Sequence, residues 1–93
     1  FYTESIQNSP LKDWVETPML PTMSSLHAFH QYTIRLKTQD PAVRDTLQET
    51  MRSAGVMCMI YYPIPLHLQQ THANLGYKPG DMPVAETVAK QVL

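Results

Sequence analysis

Two tyrosines and a histidine lie close together in the stretch "IYYPIPLHLQQ", residues 60–70, and could contact a polar ligand. Phenol hydroxyls and an imidazole can all donate hydrogen bonds, so Tyr61, Tyr62 and His67 could form one wall of a pocket for an anion. The alternative is structural, because aromatic rings also pack in cores while their hydroxyls find local partners. Pro63 and Pro65 restrict the backbone between the tyrosines and the histidine to an extended path.

Four histidines raise the question of a metal site. His27 and His30 are three residues apart on a predicted strand, so they face opposite sides of it, and His67 and His72 are five apart across a predicted coil. The chain has neither a His-Glu-x-x-His motif nor paired cysteines. The signal for zinc is therefore weak, and we predict that the chain holds no metal.

Covalent chemistry has little support in the sequence. Cys58 lies in the apolar run "VMCMI", where a thiolate would be desolvated, so it is better interpreted as a small buried hydrophobe. A lysine that forms a Schiff base needs an apolar pocket that lowers its pKa. The four lysines lie in predicted coil, on a polar strand face or on a helix flank: Lys12, Lys37, Lys78 and Lys90.

The composition limits the classes of protein and partner. The 93 residues suit one small domain, and seven Lys and Arg against eight Asp and Glu give a formal charge of -1. This balance lacks the basic excess that binds nucleic acid or anionic lipid, and no stretch approaches the ~20 apolar residues of a membrane helix. A single cysteine favours a reduced, cytoplasmic setting. Because the sequence opens on Phe1 rather than Met, we expect a piece of a longer protein.

The middle of the chain predicts a strand followed by a helix. In residues 28–37, polar and apolar side chains alternate, with His30, Tyr32, Ile34 and Leu36 on one face, as in a half-buried strand. Asp40 and Pro41 fit the N-cap and first position of a helix, and Gly55 fits its C-terminal end. The apolar stripe predicted for this helix consists of Val43, Leu47, Met51 and Ala54.

The remainder predicts a second strand, a loop and a second helix. The apolar run 56–62 fits a strand covered on both faces, which the following prolines end. Asp81 is the predicted cap of the helix "MPVAETVAKQVL", whose stripe continues to the end of the sequence. Its members are Val84, Ala85, Val88, Ala89 and Val92.

Residues 1–26 are predicted to be an interdomain link. Phe1, Tyr2 and Ile6 fit the last turns of an amphipathic helix, prolines then favour extended coil, and Trp14 is expected in a surface groove. Residues 27–93 would form a small α/β (α+β) domain. Its two strands would be parallel neighbours if one helix joins them, or antiparallel with a third strand outside this sequence. Two strands are too few for an independent sheet, so the domain is expected to be incomplete.

Six blocks in order resemble the C-terminal region of the DegT/StrS-type PLP-dependent nucleotide-sugar aminotransferases. They lie in "HQYTIRL" and in "RDTLQETMRSAGVMCMIYYPIPLHLQQTHANLGYKPGDMPVAE". The matching positions are His30, Tyr32, Ile34 and Arg35; Arg44, Asp45 and Leu47; Gly55 and Val56; Tyr62, Pro63, Pro65, Leu66, His67 and Gln69; Leu75, Gly76 and Tyr77; and Gly80, Asp81, Pro83 and Glu86. Tyr61 departs from the pattern, because many members have histidine there.

The resemblance implies the small C-terminal domain of a fold-type I aminotransferase, cut before the family's last strand and helix. Such enzymes are homodimers in which a lysine of the large domain holds PLP, and they transfer an amino group, commonly from glutamate, to a keto sugar on a nucleotide diphosphate. This chain would neither bind PLP nor catalyse transamination alone. It would place Tyr61, Tyr62 and His67 beside the sugar nucleotide.

Two other functions are compatible with the sequence. A relative with the same fold could act as a PLP-dependent sugar dehydratase, which would differ at a lysine outside these 93 residues. A non-catalytic binding or regulatory module is the second alternative, and it would have to fold stably alone.

Overall fold

A computed structural model describes residues 1–19 and 27–93 of the chain. The described part is mixed α/β. It contains helices α1 (Tyr2–Gln7), α2 (Pro41–Ser53) and α3 (Pro83–Gln91), strands β1 (Val15–Glu16) and β2 (Arg35–Leu36), and 3-10 helices at Pro10–Asp13, Leu66–Leu68 and Gln70–Leu75. Within these two ranges, no helix has the length and apolar character needed to cross a membrane.

Strand β2 pairs on both of its edges with antiparallel neighbours. On one edge Val15 lies opposite Leu36 and Glu16 opposite Arg35. On the other edge, Ile34 and Leu93 each donate their amide to the other's carbonyl, at 2.9 and 3.1 Å. Neither of the two pairings considered for residues 28–37 and 56–62, parallel or antiparallel, is formed, because both edges of β2 are occupied by other segments.

The alternation predicted for residues 28–37 is confirmed over most of its length. Leu36 is buried, Tyr32 and Ile34 are half-buried, and the intervening side chains from Gln31 to Lys37 are exposed. His30, at the start of the predicted apolar face, is exposed instead. The regular strand is only two residues long because its β1 partner is equally short.

Helix α2 begins and ends where the sequence predicts. The Asp40 carboxylate accepts the Ala42 amide at 2.9 Å, and Pro41 occupies the first turn. After the helix, Gly55 adopts φ 82° while its amide donates to Arg52 and the Val56 amide donates to Met51. This is the Schellman arrangement, which satisfies carbonyls at the end of the helix.

The predicted apolar stripe of α2 is only partly correct. Leu47 and Met51 are half-buried, but Val43 is 48% exposed and Ala54 is exposed. The buried residue of α2 is Arg44, whose guanidinium donates to the Ala89 carbonyl of α3. The same guanidinium contacts the Asp45 carboxylate at 2.6 Å. A charged side chain therefore contributes to the contact between these two helices.

The predicted strand at residues 56–62 is not formed. The chain there runs without regular structure, and Val56, Met57, Met59, Tyr61 and Tyr62 are exposed. A strand needs a neighbour that supplies backbone hydrogen bonds, and no described strand lies beside this run. It is held to α2 by side chains, since the Gln48 amide donates to the Cys58 carbonyl at 3.2 Å.

Helix α3 departs from the prediction at both ends. Asp81 does not cap it but accepts the Lys78 amide in the preceding turn. The helix ends at Gln91, and Val92 and Leu93 turn into extended backbone beside β2.

The apolar stripe predicted for α3 is buried only in part. Ala89 and Val92 are buried, Val88 is half-buried, and Val84 and Ala85 are exposed. The buried face thus lies toward the C-terminal end, where the helix meets α2 and β2.

The link region is partly helical, as predicted for Phe1–Ile6, but it also contributes to the sheet. A 3-10 helix and β1 replace the extended coil expected after α1. The Trp14 indole is 70% exposed rather than held in a groove, and it is the Trp14 carbonyl that bonds the Lys37 amide at 2.8 Å. Residues 20–26 of the predicted link lie outside the described residues.

Candidate functional site

The three residues singled out from the sequence lie in two different surroundings. The Tyr61 and Tyr62 rings stand edge to face with centroids 5.7 Å apart, and both residues are about half exposed. Tyr61 lines an apolar groove, whereas His67 is buried against Glu86 and Tyr77. The exposed hydroxyl-bearing rings and the buried imidazole are joined by the short segment from Pro63 to Leu66.

The groove beside Tyr61 has a volume of about 520 Å³. Its walls come from α1, from residues 31–34 of the alternating segment, from residues 56–59 and from the end of the chain. Most of its lining side chains are apolar: Ile6, Ile34, Met51, Val56, Met57, Met59, Val92 and Leu93. Such a surface suits an apolar occupant better than a phosphate group. Tyr61 lines this groove and remains 51% exposed.

His67 is fixed by a carboxylate. The 3-10 helix Leu66–Leu68 places its side chain inward, where it is 4% exposed. Its Nε2 lies 3.1 Å from Oε1 of Glu86, and its ring meets the Tyr77 ring edge to face with centroids 6.0 Å apart. A buried imidazole needs a partner for each polar atom that lacks water, and Glu86 supplies one.

Glu86 connects His67 to the turn before α3. Its carboxylate accepts the Gly80 amide at 2.8 and 3.0 Å and the Met82 amide at 3.3 Å. The Gly80 amide holds the pKa of the Glu86 carboxyl below its usual value of 4.5; burial opposes this, and His67 and Met82 lower it further. The ionised carboxylate also lies in the first turn of α3, where the helix dipole favours negative charge.

Sequence reasoning assigned no role to Glu86. A signal was present, because Glu86 follows Pro83 by three residues and an acidic residue in a first turn after proline is typical of a helix start. The contact with His67, 19 positions earlier, could not be read from local spacing. The structure therefore adds Glu86 and Tyr77 to the surroundings of the predicted residue His67.

The remaining sequence candidates lie apart from these groups. His27, His30 and His72 are exposed, and among residues 1–19 and 27–93 there is no cluster of three or more His, Cys, Asp or Glu side chains placed to hold a metal ion. Cys58 is half-buried, with its Sγ 4.0 Å from Sδ of Met51. All four lysines are exposed, so the residues described do not fit a site that holds PLP through a shielded amine.

The whole sequence, residues 1–93, matches the DegT/DnrJ/EryC1/StrS aminotransferase family. The chain belongs to this family. The match extends over the link region as well as over residues 27–93, which carry the motifs described above. The resemblance seen in the sequence is thereby confirmed.

Individual relatives share from 29% to 44% of their residues with this chain over the aligned regions. A protein of Geobacillus stearothermophilus named pleiotropic regulatory protein is 44% identical over 92 residues, which cover 99% of this chain and 23% of the relative. The erythromycin biosynthesis sensory transduction protein EryC1 of Saccharopolyspora erythraea is 42% identical over 66 residues, covering 71% of this chain and 17% of the relative.

A third relative is named as an enzyme of sugar metabolism. The UDP-N-acetyl-3-dehydro-alpha-D-glucosamine 3-aminotransferase of Acidithiobacillus ferrooxidans is 39% identical over 67 residues, covering 72% of this chain and 16% of the relative. The chain thus spans less than a quarter of the length of the curated relatives it matches.

Proposed function

We propose that this chain is the small C-terminal domain of a nucleotide-sugar aminotransferase. In this proposal the longer protein binds PLP through residues outside this sequence. It moves an amino group from glutamate to a keto sugar linked to a nucleotide diphosphate, leaving 2-oxoglutarate and an amino sugar, and it acts as a homodimer in the cytoplasm. The observation that carries the proposal is the family match over residues 1–93.

The contribution of this chain would be a wall of the sugar-nucleotide site. Tyr61 and Tyr62 fit that role because both residues are about half exposed, so that each phenol is free to donate to a hydroxyl or phosphate oxygen. The exposed lysines of the chain leave the amine that holds PLP to be supplied by another part of the protein.

His67 would bind the sugar nucleotide through Nδ1, the ring nitrogen that does not face Glu86. Because Glu86 is an acceptor when ionised, Nε2 of His67 carries the proton that faces it. Neutral His67 then offers Nδ1 as an acceptor, which suits a sugar hydroxyl. The imidazolium form offers a donor at Nδ1, which suits a phosphate oxygen. The binding role of His67 therefore depends on which of these two groups approaches it.

The cofactor and amino donor are tested by the absorbance spectrum of the full-length protein that contains this segment, purified with PLP. We expect a band of protein-bound PLP that glutamate discharges. A band that glutamate does not alter would contradict glutamate as donor and favour another amino acid or the dehydratase alternative. A protein that shows no bound PLP would contradict the aminotransferase proposal.

A regulatory module is the second candidate function. It is favoured by the names of two relatives, pleiotropic regulatory protein and sensory transduction protein. The two candidates differ in a direct assay, because a module of this kind would produce its effect in the cell without transferring an amino group.

A further inference from the structure

We propose that Glu86 is a positioning residue. Through His67 it fixes the segment that carries Tyr61 and Tyr62, and thereby holds the two tyrosines against the nucleotide sugar; this inference rests on the proposed function. Glu86 itself would not touch the substrate. Its carboxylate would act as a clamp between the start of α3, the turn at Gly80 and the 3-10 helix that contains His67.

The first support is the number of separate segments that meet at one carboxylate. Glu86 belongs to α3, His67 to the 3-10 helix Leu66–Leu68, and Gly80 and Met82 to the turn before α3. The distances to His67 Nε2, to the Gly80 amide and to the Met82 amide are 3.1, 2.8 and 3.3 Å. An acceptor shared by several donors fixes their relative positions, and charge-assisted bonds of this kind are stronger than neutral ones.

The second support is the burial of the contact. The side chains of His67 and Glu86 are 4% and 19% exposed. Water therefore cannot readily replace the carboxylate as partner of Nε2, and loss of the charge would exchange a charge-assisted hydrogen bond for a weaker neutral one. The His67 ring also packs against the Tyr77 edge, so a shift of the imidazole would disturb the turn on its other side.

The third support is the stiffness of the connection between His67 and the tyrosines. Four residues separate Tyr62 from His67, and Pro63 and Pro65 fix two of the intervening φ angles. The side-chain amide of Gln69 also donates a hydrogen bond to the Ile64 carbonyl, at 3.3 Å. A displacement of His67 would therefore be passed to Tyr62 instead of being absorbed by a flexible loop.

The test compares Glu86→Gln with Glu49→Gln in the full-length protein. Glu49 is the matched control because it is an exposed helix carboxylate that pairs with Arg52 at the surface. For Glu86→Gln we expect KM for the nucleotide sugar to rise about tenfold while kcat changes less than about twofold. Glu49→Gln should alter neither constant. A lower unfolding temperature without a change in this KM would mean a purely structural residue and would overturn the proposal.

Hydrogen exchange provides a readout that does not depend on activity. In Glu86→Gln we expect faster exchange at Gly80 and also at Leu68 and Gln69, whose amides are bonded within the His67 turn. Faster exchange at Gly80 alone would overturn the proposed coupling. If the wild-type protein transfers no amino group, the proposed function fails, and the exchange data still decide whether Glu86 positions this segment.

Discussion

The Arg44 guanidinium of α2 donates to the Ala89 carbonyl of α3, and Arg44 is only 5% exposed. Ala89 lies in the last turn of α3, where carbonyl groups have no partner within the helix and a positive charge complements the helix dipole. The adjacent Asp45 carboxylate, at 2.6 Å, balances the buried charge. A charge-assisted contact therefore links the two longest helices of the described chain.

Replacing Arg44 with methionine should destabilise this contact. Met fills part of the space but cannot donate to Ala89, so we expect the free energy of opening of the α2 and α3 amides to fall by about 2 kcal/mol. Hydrogen exchange of these amides measures this free energy of opening. Arg52→Met, on the exposed face of the same helix, should change it by less than about 0.5 kcal/mol. Equal losses in the two variants would contradict the role given to Arg44.

A second prediction concerns the end of α2. Gly55 has φ 82°, a conformation that costs an L side chain roughly 1 kcal/mol, so Gly55→Ala should lower the stability of α2 by about that amount. Space is not the cause, because nothing lies within 4 Å of the added Cβ. Exchange rates of the α2 amides give the change, and Ser53→Ala serves as the control. An Ala variant as stable as wild type would show that the turn does not need glycine.

The ends of α2 and the burial of Arg44 show which features could be predicted from the sequence and which could not. Helix α2 follows from local signals, since Asp40, Pro41 and Gly55 each act on backbone groups within a few residues. The burial of Arg44 depends on a carbonyl 45 positions away and leaves no local pattern. The missing strand at 56–62 has the same origin. Its apolar composition predicts a covered strand, but composition does not specify a partner strand, and the segment is largely exposed.

The candidate site divides in the same way. Tyr61, Tyr62 and His67 are recognisable as candidates by their residue types and by the prolines that follow the tyrosines. The buried imidazole of His67 has Glu86 as its partner, and sequence spacing could not connect these two residues. The two-residue strand β1 was also missed, because Val15–Glu16 is too short to show any periodicity.

The third prediction is a pH dependence of stability. The pKa of the Glu86 carboxyl is lowered in the folded chain from its usual value of 4.5. The ionised carboxylate therefore stabilises the fold fully at pH values above 4.5, and this stabilisation is lost as the pH falls through the lowered pKa. Thermal unfolding between about pH 6 and pH 3 should therefore show a smaller acid loss in Glu86→Gln than in wild type. Identical acid profiles would contradict an ionised Glu86 clamp.

The fourth prediction tests whether the two tyrosines bind the substrate. Removing either hydroxyl, in Tyr61→Phe or Tyr62→Phe, should raise KM for the nucleotide sugar by about three- to tenfold, because one hydrogen bond to the substrate is lost while the ring remains. The KM for glutamate should not change. Trp14→Phe, at an exposed aromatic side chain, is the control. If both tyrosine variants keep the wild-type KM, the wall of the sugar site lies elsewhere.

The most direct measurement of the proposed function is amino-group transfer by the full-length protein. Incubation with PLP, ¹⁵N-labelled glutamate and a set of nucleotide-linked keto sugars, followed by mass spectrometry, reports whether the label reaches the sugar. We predict a ¹⁵N-labelled amino sugar nucleotide formed together with 2-oxoglutarate. A protein that binds PLP and glutamate yet leaves every nucleotide sugar unlabelled would contradict the assignment as a nucleotide-sugar aminotransferase.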